Sequence, residues 1–372
     1  MIPRTLDNQI QDNLFKGKAI ILIGPRQVGK TTMIKNMITG IEKALFFDGD
    51  DPAVQRLLNR PNTEQLRAMI GDNKLVFIDE CQRISEIGLT AKIIIDQIKH
   101  VQLIMSGSSA YDLMRYTGEP LTGRKFTYTL LPVNWQEWEN YAGYLKAEQD
   151  LENRLVFGLY PDILMNPNSE GILLKELADS YLYKDILAYS NIKKPEAVQK
   201  LVQALAWQVG SEVQFTEVGE ICGLDAKTVL NYIEILERAY VIFRLPSFSR
   251  NLRNEIKKSR KIYFYDNGIR NAVIGQLQPF ALRSDVGALW ENFLVSERRK
   301  QLIYWQSFAT QYFWRTKQQQ EIDYVEEDNG KIQAFEMKWS PKKAVKLPLT
   351  FTNNYDAAGS CITRDNFRDF LK

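Results

Sequence analysis

Along the first 110 or so residues, short apolar runs alternate with amphipathic stretches. KAIILI (18–23), ALFFDGD (44–50), KLVFIDE (74–80) and VQLIMSGSS (101–109) read as strands. The stretches from Thr31 to about Ile38, 52–70 and 87–99 carry helical spacing. Strands alternating with helices predict an α/β fold with a parallel sheet built from βα units. The strands end in polar clusters, and open α/β sheets bind ligands at those carboxyl ends.

Near residue 125 the pattern changes. FTYTLLPVNWQEWENY is aromatic and proline-interrupted, so a new segment is expected at Leu131–Pro132. Residues 171–189 and 196–209 read as helices. The stretch 215–246 reads as helix, Gly-containing turn, helix and strand, with Asp225 as an N-cap and Val229, Ile233 and Leu236 on one apolar face. That is a winged-helix-like unit, with VIFRLP as its wing. From about 260, KIYFYDNGIRN reads as strand and turn and GALWENFLVSERRK (287–300) as an amphipathic helix. LIYWQ, QYFWRT, EIDYVEE and KIQAFEMKW read as short strands of a small α/β domain with a mixed sheet. The expected domains are 1–170, 171–250 and 251–372.

Composition narrows the class. With 372 residues, 45% hydrophobic and 25% charged, the chain fits a soluble globular protein and excludes a disordered or collagen-like one. Lys+Arg of 48 against Asp+Glu of 45 leaves +3, which neither argues for nucleic acid nor excludes a local basic patch. Cys81, Cys222 and Cys361 form neither a metal-spacing motif nor a disulfide framework, so a reducing, cytoplasmic setting is expected. MIPRTLDNQIQDN does not read as a signal peptide, and no apolar run reaches ~18 residues, so no membrane partner is expected. His100 is the sole histidine, which excludes chemistry needing several imidazoles.

GPRQVGKT, from Gly24 to Thr31, follows a strand and opens a helix. Its glycines let backbone N–H groups wrap phosphates, with the helix N-terminus adding to the anion nest. The expected ligand is ATP with Mg²⁺, held by Gly24, Pro25, Arg26, Gln27, Val28, Gly29, Lys30, Thr31 and Thr32. Lys30 would reach the β/γ-phosphates, and Thr31 and Asp79 would hold Mg²⁺. Glu80 is the expected water-activating group. Ser106, Gly107, Ser108 and Ser109 close the next strand, and Ser106 or Ser108 would sense the γ-phosphate, Ser106 being the first choice. Arg115 or Arg124 is a candidate arginine finger, Asp48 a candidate orienter of Mg²⁺ or Lys30, and Gln82 and Arg83 candidate couplers to a neighbour.

A second constellation lies near the C-terminus. Glu336 and Lys338 form E-x-K on a strand, where i and i+2 share a face. With Asp323 on a neighbouring strand and Glu291 on the preceding helix, they suit Mg²⁺ or Mn²⁺ and phosphodiester hydrolysis. The opposing reading is solvated charge or a structural ion-pair cluster. Basic runs at 257–261, 298–300 and 342–346, with Trp305, Tyr312, Phe313, Trp314 and Trp339 among them, leave DNA open as a partner. The candidate recognition segment 225–237 has one lysine and three acids, which favours a protein partner.

GPRQVGKTT, LVFIDE, SGSSA and LTGR (121–124) together resemble the bacterial and archaeal AAA+ ATPases known as AAA_14, and the C-terminal half resembles the accompanying DUF4143 domain. Gly158, Tyr160 and Pro161 resemble the family's turn after the core. The resemblance spans roughly 15–350. It implies an AAA+ P-loop core, a winged-helix segment and a terminal domain similar to PD-(D/E)xK endonuclease folds, onto which Glu291, Asp323, Glu336 and Lys338 fall. Ile322 stands where that pattern has proline. The leading function expected is an ATPase that switches its C-terminal domains. The alternatives are an ATP-regulated, metal-dependent DNA nuclease and a nucleotide-binding scaffold for a protein partner. Self-association is an open expectation.

Overall fold

The computed structural model describes residues 1–108, 121–180, 192, 194–249, 260–340 and 347–372. They form two compact units, Met1–Leu131 and Pro132–Lys372, divided where the hydrophobic pattern changes. Ser109, Arg115, Lys257, Lys258, Lys342, Lys343 and Lys346 lie outside the described residues.

The first unit contains α1 (Leu6–Gln11), β1 (Ala19–Ile23), α2 (Lys30–Ile38), β2 (Ala44–Asp48), α3 (Pro52–Leu58), α4 (Thr63–Ile70), β3 (Leu75–Asp79), α5 (Ile87–Gln97), β4 (Gln102–Gly107) and β5 (Lys125–Thr129). Its sheet is parallel throughout, in the order β2-β3-β4-β1-β5. β1, β3 and β4 are buried at every position, which is why they read as unbroken apolar runs rather than alternating ones. The helical pattern over 52–70 resolves into two helices. Pro61 lies in the break, and the Asn62 side chain caps the second helix. β5 lies inside the stretch read as a change of segment. Only Tyr128 in it is buried, and its place comes from pairing with β1, so its own polar pattern conceals it.

The second unit contains α6 (Trp135–Ala142), α7 (Tyr144–Phe157), α8 (Pro161–Met165), α9 (Glu170–Ala178), α10 (Pro195–Trp207), β6 (Glu212–Val213), α11 (Phe215–Cys222), α12 (Ala226–Arg238), β7 (Ile242–Pro246), β8 (Arg260–Phe264), α13 (Asn267–Val273), α14 (Val286–Tyr304), β9 (Thr310–Arg315), β10 (Glu321–Asp328), β11 (Lys331–Met337), α15 (Leu349–Tyr355), β12 (Ala358–Ile362) and α16 (Phe367–Phe370). β6-β8-β7 is an antiparallel sheet beside the helices α10 to α12. β12-β11-β10-β9 is a mixed sheet whose apolar face gathers Phe248, Trp314, Ile322, Val325 and Phe351.

Three sequence readings are corrected here. DNGIRN is helix rather than turn, because the Asp266 side chain accepts from the Ile269 N–H and caps α13. LIYWQ begins as the last turn of α14 rather than as a strand, since no breaker separates it from the preceding helix. α14 is not amphipathic either. It is buried on several faces, and its polar residues Asn292, Glu297 and Lys300 are buried with hydrogen-bond partners.

Candidate functional site

The loop after β1 is shaped by close packing. Gly24 has φ of 149°, and a Cβ there would lie 1.9 Å from the Leu130 carbonyl oxygen, so no side chain fits. Gly29 is left-handed and opens α2, whose first amides face the loop. Lys30 is buried, its Nζ donating to the carbonyls of Gly24 at 3.0 Å and Pro25 at 2.8 Å. Burial pulls its pKa down to about 8, against the pull of Glu80 and Asp79, while Arg26 adds to the lowering. Arg4, far away in sequence, clamps the loop by donating to the carbonyls of Val28 at 2.9 Å and Leu131 at 2.6 Å. Sequence reading missed Arg4, since a lone arginine before α1 carries no local signal.

β3 delivers Asp79 to the same place. Thr31 Oγ1 donates to one Asp79 carboxylate oxygen at 2.6 Å, and Ser106 at the end of β4 donates to the other. Glu80 follows at φ 43°, a left-handed conformation costly for a non-glycine residue. Its carboxylate accepts from Gln82 Nε2 at 2.5 Å, and the same amide donates to Ser108 Oγ at 3.1 Å. Gln82 is therefore turned into the site, and its Oε1 is buried with no hydrogen-bond partner among the described residues. Arg83 instead pairs with Asp50 at 3.3 Å on the surface. Asp48 is an exposed strand end accepting from the Asp50 N–H.

The structure thus brings Lys30, Thr31, Asp79, Glu80 and Ser106 together, with the loop residues Gly24 to Thr32. It does not bring Arg124 there. Arg124 immediately precedes β5, which runs parallel to β1, so it stands at the opposite end of the sheet. There its guanidinium pairs with Asp96 at 2.8 Å.

In the second unit, Lys338 Nζ lies 3.0 Å from both Asp323 and Glu336, and the Met337 N–H donates to Asp323 at 2.9 Å. Burial and the neighbouring Asp323 push Glu336 up to about 7. Although burial opposes it, Asp323 and Glu336 hold Lys338 above the usual lysine range. Glu291 accepts from Lys261 at 3.1 Å and the Tyr263 hydroxyl at 2.6 Å. Burial raises its pKa, Lys261 opposes that rise, and Asp323 is near enough to add to it. Lys261 also pairs with Glu321 at 2.6 Å. Among the described residues no group of three His, Cys, Asp or Glu side chains is placed to hold a metal. Each expected carboxylate thus faces a lysine: Lys261 stands against Glu291, and Lys338 against Asp323 and Glu336.

The basic triplet 298–300 is not a nucleic-acid surface. Arg298 forms a bidentate pair with Glu326, Arg299 stacks 4.5 Å over Phe243, and Lys300 is buried against Glu297. At ~100° per residue, adjacent helical positions point apart, so a run of charges need not form a patch. Phe313 and Trp314 are core, Trp339 packs on Trp290, and Trp305 is half-exposed. The turn at Gly158 is locked as well: Leu159 N–H donates to buried Asp266 at 2.7 Å, and a Cβ on Gly158 would lie 2.0 Å from that carboxylate.

These features define an N-terminal domain with a P-loop, AAA+-like ATPase fold. Residues 16–139 match the AAA_14 family (AAA domain), and 148–279 and 286–368 match DUF8612 and DUF4143, both domains of unknown function. The chain is similar to an uncharacterized protein of Mycobacterium tuberculosis, 26% identical over 333 residues, covering 87% of this chain and 71% of the relative. It is also similar to an uncharacterized protein of Methanocaldococcus jannaschii, 23% identical over 322 residues, covering 80% and 70%. Among solved structures, the Walker-type ATPase of Pyrococcus abyssi shares the fold, with TM-score 0.52 and 12% identity over 73% of this chain and 96% of that one.

Proposed function

We propose that the chain binds ATP with Mg²⁺ and hydrolyses it, using the cycle to switch its C-terminal domains. The observation that carries this reading is the chain of hydrogen bonds from Thr31 through Asp79 to Ser106, with Glu80 and Gln82 beside it. Two oxygen donors 2.6 Å apart, one a carboxylate, fit a hard cation, so Thr31 and Asp79 would hold Mg²⁺. Held there, the ion would supply neutralisation of phosphate charge. Lys30 exchanges the carbonyls of Gly24 and Pro25 for phosphate oxygens and is protonated most readily when phosphate charge lies beside it. The α2 amides and the loop backbone hold the remaining negative charge. Glu80 accepts the proton of the attacking water, and Gln82 sets the direction of that carboxylate. Ser106 stands where the γ-phosphate's presence is read through Asp79. Phosphate release measured for Lys30→Ala and Glu80→Gln tests the reading: loss in both with ATP retained by Glu80→Gln is expected, and unchanged release in both would sink it.

A second reading concerns the C-terminal unit, where the convergence of Lys338 on Asp323 and Glu336 favours phosphodiester hydrolysis. Two carboxylates are enough for Mg²⁺ when substrate phosphates complete its shell. Asp323 and Glu336 would hold the ion and Lys338 would stabilise developing charge on phosphate. Metal-dependent cleavage of DNA that disappears in Asp323→Ala and Lys338→Ala is expected. No cleavage by the unaltered chain over a range of DNA substrates counts decisively against it. The helices α10 to α12 with the β6-β8-β7 sheet support a winged-helix reading, and the acids on α12 direct it toward a protein partner.

A further inference from the structure

The first unit holds a cavity of about 820 Å³ at the amino ends of β1 and β4. The phosphate loop is at the other end of the same strands, about 16 Å away for five residues of strand. Lys16, Lys18, Lys99 and Arg124 line the cavity, and its one carboxylate, Asp96, is already paired with Arg124 at 2.8 Å. Lys16 donates to Asn13 at 3.3 Å and Lys18 lies 5.0 Å over the Phe126 ring, so neither is neutralised. No ion pair to Lys99 is present among the described residues. Among the described residues, three ammonium groups with no ion-pair partner therefore line one concave surface, an arrangement that concentrates anions.

An independent feature sits on its rim. Phe15 is 53% exposed at φ of 59°, a conformation bulky side chains rarely adopt. The buried Gln102 side chain holds it there, accepting from the Phe15 N–H at 2.5 Å and donating to the Lys18 carbonyl at 3.0 Å. The turn thus presents an aromatic face to solvent just before Lys16 and Lys18, on a backbone fixed from beneath. Burying Phe15 would be the ordinary outcome, and the structure holds it outward instead.

We infer that this groove binds single-stranded nucleic acid, with phosphates on Lys16, Lys18 and Lys99 and a base stacked on Phe15. Exposed aromatics interleaved with cations are how strands are held without sequence preference. An acidic peptide would use the lysines but has no use for the ring. The site is separate from the nucleotide loop and does not depend on the ATPase reading.

Fluorescence anisotropy of a labelled fifteen-residue oligo-dT with the full chain, from about 50 to 200 mM salt, tests this. Lys16→Ala and Lys99→Ala should each flatten the slope of log K against log salt by about 0.7, the share of one phosphate contact on a single strand. Phe15→Ala should weaken binding about five- to a hundredfold while leaving that slope alone. Lys331→Ala, exposed on β11 of the other unit and outside the cavity lining, should match the unaltered chain. Circular dichroism melting of each variant separates lost binding from lost folding. No binding at 50 mM salt overturns the inference. So do slopes untouched by Lys16→Ala and Lys99→Ala, affinity untouched by Phe15→Ala, or a labelled poly-glutamate peptide that binds equally well and loses affinity equally with Phe15→Ala.

Discussion

Gln82 shows how a single side chain can hold the carboxylate proposed here to activate water. Its amide donates to Glu80 at 2.5 Å and Ser108 at 3.1 Å, so the carboxylate cannot wander. Gln82→Ala should lower kcat about ten- to a hundredfold, less than the roughly hundred- to ten-thousandfold that a general base itself contributes, while nucleotide affinity stays close to the original. Steady-state kinetics beside equilibrium binding checks it, and an equal loss in both would mean that Gln82 only supports the fold. Glu336 gives a prediction in pH. Its folded-state pKa is raised to about 7 from an ordinary 4.5, so its protonated form favours the folded state. That contribution is fully present below about 4.5 and is lost as pH rises through about 7. Glu336→Gln should therefore lose less stability than the unaltered chain between pH 5 and pH 8, in thermal melts across that window.

At the scale of elements, α6 depends on a reciprocal cap. The Glu137 N–H donates to the Asn134 side chain at 2.8 Å, and the Asn134 N–H donates back to Glu137 at 3.0 Å. Both residues are buried, so neither amide has water as a substitute. Asn134→Ala should cost about 1–2 kcal/mol in urea denaturation, with Asn134→Asp recovering most of it. N-x-x-E at 134–137 is visible in the sequence, but the burial that makes it costly to remove is not. β5 and α14 show the same separation. β5 takes its place from hydrogen bonds to β1, and α14 carries lysine, glutamate and asparagine inward because partners on other elements satisfy them.

For the whole molecule, the nucleotide loop, Asp79, Glu80 and Ser106 all belong to the unit Met1–Leu131. A ligand that binds only the folded unit stabilises it by mass action, about 2.7 kcal/mol at a hundred times its Kd. Thermal unfolding should therefore move upward with ATP and Mg²⁺, and Lys30→Ala should abolish the movement. A Lys30→Ala chain that still shifts fully would place the ligand elsewhere. No helix among the described residues is long and apolar enough to cross a membrane.

The parallel sheet and the phosphate loop were legible because each depends on residues adjacent in the chain. Buried strands show as apolar runs, and a loop that wraps phosphate with its backbone needs its glycines and lysine at fixed spacing. Asp79 and Glu80 were legible for the same reason, lying at the end of such a run. What came only from tertiary structure depends on groups brought from far apart. Arg4 reaches Val28, Lys261 pairs with Glu291, parallel pairing carries Arg124 to the far end of the sheet, and Gln102 holds Phe15 outward. A side chain's partner is set by the three-dimensional path of the backbone, and charge burial is tolerated only where that path delivers the opposite charge. The local pattern therefore determined where phosphate chemistry could occur, and the fold decided which charges remain free to take part in it.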